Sequence, residues 1–422
     1  MTAKFLLILG LSSTLANQGE SSDWPQFLGP TRDGVYPGSD LAATWPKEGP
    51  AILWQKNVGE GFSAPVVAGH KLILFHRLED KEIVTCLDAN TGKEIWSFGY
   101  PTHYRDDFGF DEGPRATPCI ADGQIYAYGA EGMLTCLNFT DGKKIWSVDA
   151  KKDFGARKGF FGIACSPIVE GNAVLLNVGG TDGAGIVAFD KMTGKVLWKT
   201  SDDEASYSTP VAATVNGIRY VFFLTRAAFV GLNPNDGKIC FTHPFQPPIS
   251  SSVTAATPLV IGDQIFISGS YGNGAALLRL KDGKPEKVWA AQDVLSNHYA
   301  TSIYHDGFLY GIDGRTDPGY RPGPSLRCVE LKSGKVRWRQ DDFGAATLTL
   351  VGEELIIVTE RGELIRAHAT PEAFKAEARA EVLPNHIRSY PAIANGLLYA
   401  RSKDKLFCLD LSKSTRVKSA EK

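Results

Sequence analysis

Apolar and polar residues alternate along most of this chain, and the alternation is broken by short, regularly spaced turns. The clearest unit is CLDANTGKEIW, Cys86 to Trp96. An apolar strand ends, an Asx/Thr-Gly pair supplies a turn, and a return strand closes on an aromatic ring. The unit recurs as CLNFTDGKKIW (Cys136 to Trp146), AFDKMTGKVLW (Ala188 to Trp198) and GLNPNDGKICF (Gly231 to Phe241). Two more copies are LRLKDGKPEKVW (Leu278 to Trp289) and CVELKSGKVRW (Cys328 to Trp338). Glycine can take the positive φ that such a turn needs, and the Asp, Asn or Thr beside it can bond the turn backbone. A large ring at a fixed place in each unit predicts packing between neighbouring units.

A second turn follows each short apolar run, at Gly69, Gly123, Gly171, Gly217, Gly262, Gly307, Gly352 and Gly396. Eight markers spaced 44 to 54 residues apart suit four short strands and their turns. Period-two alternation around both turns excludes a helical repeat of similar length. The fold predicted is all-β, an eight-bladed β-propeller of four-stranded blades. The last unit, Tyr390 to Leu411, runs out before a fourth strand, and AILWQKNV, Ala51 to Val58, supplies one with Trp54 in the aromatic's place. Pairing the two would close the ring and remove two sheet edges. The seventh unit departs from the pattern: ATPEAFKAEARAEVL, Ala369 to Leu383, predicts a short helix, with Thr370 as N-cap and Pro371 at the first position.

The division predicted is a signal peptide over 1–16, an N-terminal extension over 17–50, the propeller over 51–413 and a tail over 414–422. The apolar run Phe5 to Leu11, followed by Thr14-Leu15-Ala16, reads as a cleaved export signal, too short to span a bilayer. In the extension, Trp24 and Phe27 predict packing on the propeller. The expected location is therefore periplasmic, with no transmembrane anchor and a monomeric state.

Composition adds exclusions. Of 422 residues 22% are charged and the net charge is −2, which gives no footprint for nucleic acid. Of the seven cysteines, Cys86, Cys136, Cys328 and Cys408 occupy the same strand position in different units, Cys119 and Cys165 sit on the first strand of theirs and Cys240 precedes an aromatic; with no C-x-x-C and no adjacent pair they read as buried free thiols. The eight histidines form no metal-ligand spacing, so no metal is expected. GAGIVA, Gly183 to Ala188, leads into a strand and reads as a turn. The acidic doublets, Asp106-Asp107 among them, read as solvated charge, and no catalytic residue is assigned.

Four strands per blade put the blade-to-blade connections on one face. Two of these, Gly99 to Arg115 and Asp149 to Ala164, are long and carry aromatics and charges together. Aligning the units on the Pro of APVV, TPCI, SPIV, TPVA, TPLV and PAIA places Phe62, Arg115, Tyr207 and Arg388 three residues before it. Tyr299 aligns there through ATS, with Asn297 and His298 just before. These seven are the candidate site: an electropositive funnel for a carboxylate, a phosphate or an acidic loop, or else arginines bonded to neighbouring carbonyls and Asp residues.

The repeated L-D-x-x-T-G-K-x-x-W signature resembles the pyrroloquinoline-quinone-type repeat of eight-bladed propellers. That superfamily includes quinoprotein alcohol dehydrogenases and the propeller component of the outer-membrane assembly machinery. WPQFLGPTRDGV (Trp24 to Val35), GPRATP (Gly113 to Pro118) and SNHYATS (Ser296 to Ser302) resemble exported planctomycete–verrucomicrobial members. For the dehydrogenases the resemblance implies quinone under a vicinal disulfide and calcium held by a carboxylate–amide set. This chain has no adjacent cysteines, so no cofactor is expected, with the quinone and calcium as the alternative. The function expected is an exported, non-catalytic binding or scaffolding propeller for a protein or a small anionic ligand. A quinone-dependent oxidoreductase and a carbohydrate-binding propeller are the alternatives.

Overall fold

Each blade grows from two hairpins whose turns sit at the glycines marked above. In blade 1, Val66–Ala68, Lys71–Leu78, Lys81–Asp88 and Glu94–Pro101 pair antiparallel in sequence order. Turn glycines such as Gly92 and Gly142 have φ of 69° and 71°. The computed structural model describes residues 22–250, 252–317 and 319–413, and the expected signal peptide and tail lie outside them. Eight sheets follow one another around the ring; the strand order follows the sequence in the first six blades, while Val35–Tyr36 adds to the inner edge of blade 7 and Ile52–Asn57 to the outer edge of blade 8.

Closure is as expected. Ile52–Asn57 pairs antiparallel with Lys405–Asp410 and completes blade 8 as its outermost strand. The inner strands are fully buried runs, as in Leu397–Arg401, because each is covered on both faces by neighbouring blades. The outermost strands alternate between half-buried and exposed positions, as in Glu94–Pro101.

The aromatic at the end of each unit docks on the next blade. The Trp54 indole lies over Gly92 and its Nε1 donates to the Ala89 carbonyl at 3.0 Å. Trp146 over Gly194 and Trp198 over Gly237 repeat the contact, with indole bonds to Lys191 and Pro234 carbonyls. A methyl group on any of these glycines would meet ring carbons at 2.4–2.8 Å, so the glycine makes room for the ring as well as the turn. Phe241 differs, turning onto Gly231 of its own blade.

The helix expected over 369–383 is absent. Residues 376–381 form the outer strand of blade 7, paired with Glu363–His368. Its AEARAE pattern alternates in burial, and the open edge of the neighbouring strand offers ladder hydrogen bonds that override Ala and Glu helix propensity. Phe374 packs on Trp338 of blade 6 at 5.8 Å, and Ala378 stands where the other blades carry their aromatic. Among the described residues the one α-helix is Ala150–Phe154, capped by Asp149 and ended by Gly155 at φ 70°.

The N-terminal extension packs inside the propeller. Trp24 bridges to Val67 near the turn face, and Pro25 accepts from Ile120 N at 2.8 Å. The chain turns back near Gly29, and Val35–Tyr36 pairs parallel with the innermost strand of blade 7. Arg32, buried in this strap, donates to the carbonyl of Pro167 at 2.9 Å and touches that of Pro210 and the Cys119 sulfur. One side chain thus ties blades 2, 3 and 4 across the axis.

Candidate functional site

The innermost strands begin just after the aligned Pro, so the positions three and one before it lie in the connection that enters each blade at the axis. The three-before positions make a ring: Phe62, Arg115, Ala164, Tyr207, Ala255, Tyr299 and Arg388 all line one axial cavity of about 190 Å³. The one-before positions carry hydroxyls that bond each blade to the next. Thr117 Oγ1 accepts from Ala64 N at 3.1 Å, Ser166 Oγ from Thr117 N at 2.8 Å, and Thr301 Oγ1 from Thr257 N at 2.9 Å. Phe27 of the strap reaches the cavity, its ring edge-on to Tyr390 at 5.1 Å.

Of the seven residues singled out in the sequence, six line the cavity. Asn297 does not; it is buried beside it, donating to the Ile312 carbonyl and accepting from Ser302 Oγ. The sequence missed Phe27, Phe110, Phe161, Asp317 and Tyr390. Tyr390 was within reach of the same register argument, and Phe110 and Phe161 lie in connections already marked by their aromatics. Phe27 was expected to pack on the propeller, but nothing placed it in the site, since the strap carries no repeat.

Both arginines are ion-paired. The Arg115 guanidinium lies 3.2 Å from Asp106 Oδ2, with its faces over Phe62 at 5.3 Å and Phe161 at 5.5 Å. Asp106 is buried and accepts backbone N–H bonds from Phe108, Phe110 and Asp111, so it organises the loop, contrary to its reading as solvated charge. Its neighbour Asp107 is the exposed one, paired with Lys158 at 2.7 Å. Arg388 Nε lies 2.6 Å from Glu360, with the guanidinium over Phe110 at 5.6 Å. Asp317, which also faces the cavity, is held by Arg315 at 2.5 Å, and Arg315 is sandwiched between Tyr271 and Tyr320. The lining is charge-balanced and not electropositive.

His298 is committed on both ring nitrogens, to Tyr271 OH at 3.1 Å and Thr316 Oγ1 at 3.0 Å. Burial, helped by Arg315 and Arg388, pushes its pKa down to about 4, so it is neutral at neutral pH. The Tyr207 hydroxyl accepts from the backbone N–H groups of Phe160 and Phe161 and clasps their loop over the cavity. Above it, Phe108 packs on Phe161 at 5.1 Å yet is 55% exposed. All seven cysteines are free, and six are buried; Cys240 is exposed. Among the described residues no cluster of three His, Cys, Asp or Glu could hold a metal, and none of their helices is long and apolar enough to cross a membrane.

The profile of the family described as outer membrane protein assembly factor BamB matches residues 79–340. The assembly factor BamB of Yersinia pestis is 21% identical over 229 residues, 52% of this chain and 54% of that protein, so the match spans about half of the relative. Among solved structures, a quinohemoprotein alcohol dehydrogenase from Comamonas testosteroni superposes with a TM-score of 0.67 at 14% identity, over 95% of this chain and 82% of its own. BamB from Moraxella catarrhalis does so with 0.63 at 13% identity, over 87% of this chain and 99% of its own. At these identities the two structures share a fold with this chain, and one carries an enzyme's name while the other does not.

Proposed function

Because the chain belongs to the outer membrane protein assembly factor BamB family, we propose that it is a binding or scaffolding propeller, exported and without a catalytic role, that holds a protein partner on its loop-rich face. The observation that carries this is the aromatic cluster at the cavity mouth. Phe108 stands exposed against Phe160 and Phe161, on the two longest connections of the ring. Exposed aromatics over a pocket, ringed by charges such as Arg105 and Lys158, are the usual anatomy of an interaction site. In this reading the signal over 1–16 is removed and the mature chain starts around Asn17 in the periplasm.

The dehydrogenase-like neighbour raises the quinone reading, and the donor set does not fit it. The cavity presents one carboxylate, Asp317, already engaged by Arg315, and no adjacent cysteines exist to lie over a quinone.

A photo-crosslinking residue at Phe108, compared with one at Thr140 on the opposite face, tests the proposal in the native envelope. Discrete protein adducts are expected from position 108 and not from 140. Equal labelling from both faces, or none from 108, would overturn it.

A further inference from the structure

Resting on that reading of the loop-rich face as a binding surface, the lining of the axial cavity beneath it narrows what small molecule the cavity takes. Arg115 and Arg388 face inward, but Asp106 and Glu360 neutralise them at 3.2 and 2.6 Å, and Arg315 neutralises Asp317. An anion would find no unpaired cation and would compete with a fully buried carboxylate, Asp106. A cation would meet the same balance. The aromatic walls, by contrast, offer broad apolar faces, with paired donors and acceptors between them. The Glu360 bond engages Nε of Arg388 and leaves its terminal amino groups as donors, while Asp317 supplies acceptor oxygens and Ser166 and Thr209 supply hydroxyls.

A neutral ring with a flat C–H face and hydroxyls around its rim matches both features. We propose that the axial cavity is a binding site for a neutral sugar ring. The sugar packs its C–H face against the cavity-facing parts of the Phe62 and Phe161 rings, one face of each being covered by the Arg115 guanidinium, and places its hydroxyls on Arg388 and Asp317. Phe27 of the N-terminal strap is part of the lining, so the strap helps to shape the site.

The test is calorimetric titration of the mature chain with glucose, galactose, mannose and N-acetylglucosamine, beside glucuronate, glucose 6-phosphate and indole-3-acetate. Saturable binding of at least one neutral sugar is expected. Phe161→Ala and Arg388→Met should each weaken it about tenfold, some 1.4 kcal/mol, with the melting midpoint retained. Hydrogen exchange on the unaltered chain covers the case of variants that do not fold: the sugar should protect amides of Phe160, Phe161 and Asp317. The inference is overturned if none of the four sugars saturates, if glucuronate or indole-3-acetate binds more tightly than the neutral sugars, or if protection falls elsewhere. Crosslinks from Phe108 with no sugar binding would remove only this inference. Absence of both would remove the protein-binding reading as well.

Discussion

His76 is a buried imidazole that holds a seam between two blades. Its Nδ1 accepts from Gly59 N at 2.9 Å and its Nε2 lies 2.9 Å from Thr85 Oγ1. Burial, with Arg401 and Lys56 nearby, pushes its pKa down to about 3 from an ordinary 6.5. A depressed histidine keeps its full contribution above its unfolded pKa and loses it as pH falls through 6.5 toward 3. The buried carboxyls Glu82 and Asp111 are shifted upward by burial and act in the opposite sense, so the histidine is isolated by comparison. His76→Asn, which keeps an acceptor for Gly59 N, should melt below the parent at pH 7 and approach it by pH 4. A gap that stays constant between those pH values would mean that His76 is not the group titrating. At this scale the sequence showed the residues that obey the repeat: Phe62, Arg115, Tyr207, Tyr299 and Arg388 fall together because one register position recurs in successive strands. It offered neighbouring Asp residues as alternative partners for the arginines but did not single out Asp106, in a long connection, or Glu360, in the hairpin turn before Glu363.

The element that repeats is the strand ending in an aromatic, and its partner is the glycine of the next blade. Alanine at Gly142 would bring its Cβ to 2.4 Å from the Trp96 ring at a φ of 71°. Overpacking of that kind costs about 1–3 kcal/mol before the positive φ is counted. Gly69→Ala, at φ 58° with nothing within 4 Å of the new Cβ, should cost only the left-handed strain, about 1 kcal/mol. Melting midpoints of the two variants measure the difference, and equal losses would show that the ring yields. The misread element is equally instructive. Thr-Pro-Glu-Ala over 370–373 has the local chemistry of a helix start, but 376–381 completes an otherwise open edge. Local propensity is worth tenths of a kcal/mol per residue and cannot compete with a full strand ladder.

At the scale of the whole molecule, the ring, the blade number and the closing strand were all legible, because each follows from counting turns. Of the strap only its packing on the propeller was legible, through Trp24 and Phe27; its path was not, because it touches several blades at once and has no copy of itself. Arg32 is its anchor, and Arg32→Ala would leave the Pro167 and Pro210 carbonyls short of a donor and open a void at the axis. A loss of about 3 kcal/mol is expected by denaturant titration, and an unchanged midpoint would mean that the strap is held by its apolar residues alone. The closing blade carries a further consequence, for the order of events in time. Seven blades are each made from a continuous stretch of chain, so each can assemble as soon as its own residues emerge. The eighth joins Ile52 to Leu409, and bringing these together closes a loop of nearly the whole chain, an entropic cost of about 5 kcal/mol if the intervening blades were still unfolded. As the earlier blades fold they curve the chain and bring the two ends toward each other, so most of that cost is met before the last strand arrives. Until Lys405–Asp410 appears, however, Ile52–Asn57 has no neighbour to pair with. A nascent or truncated chain is therefore an open arc with two sticky ends, and completion of the C-terminus acts as the timing signal that turns the arc into a ring.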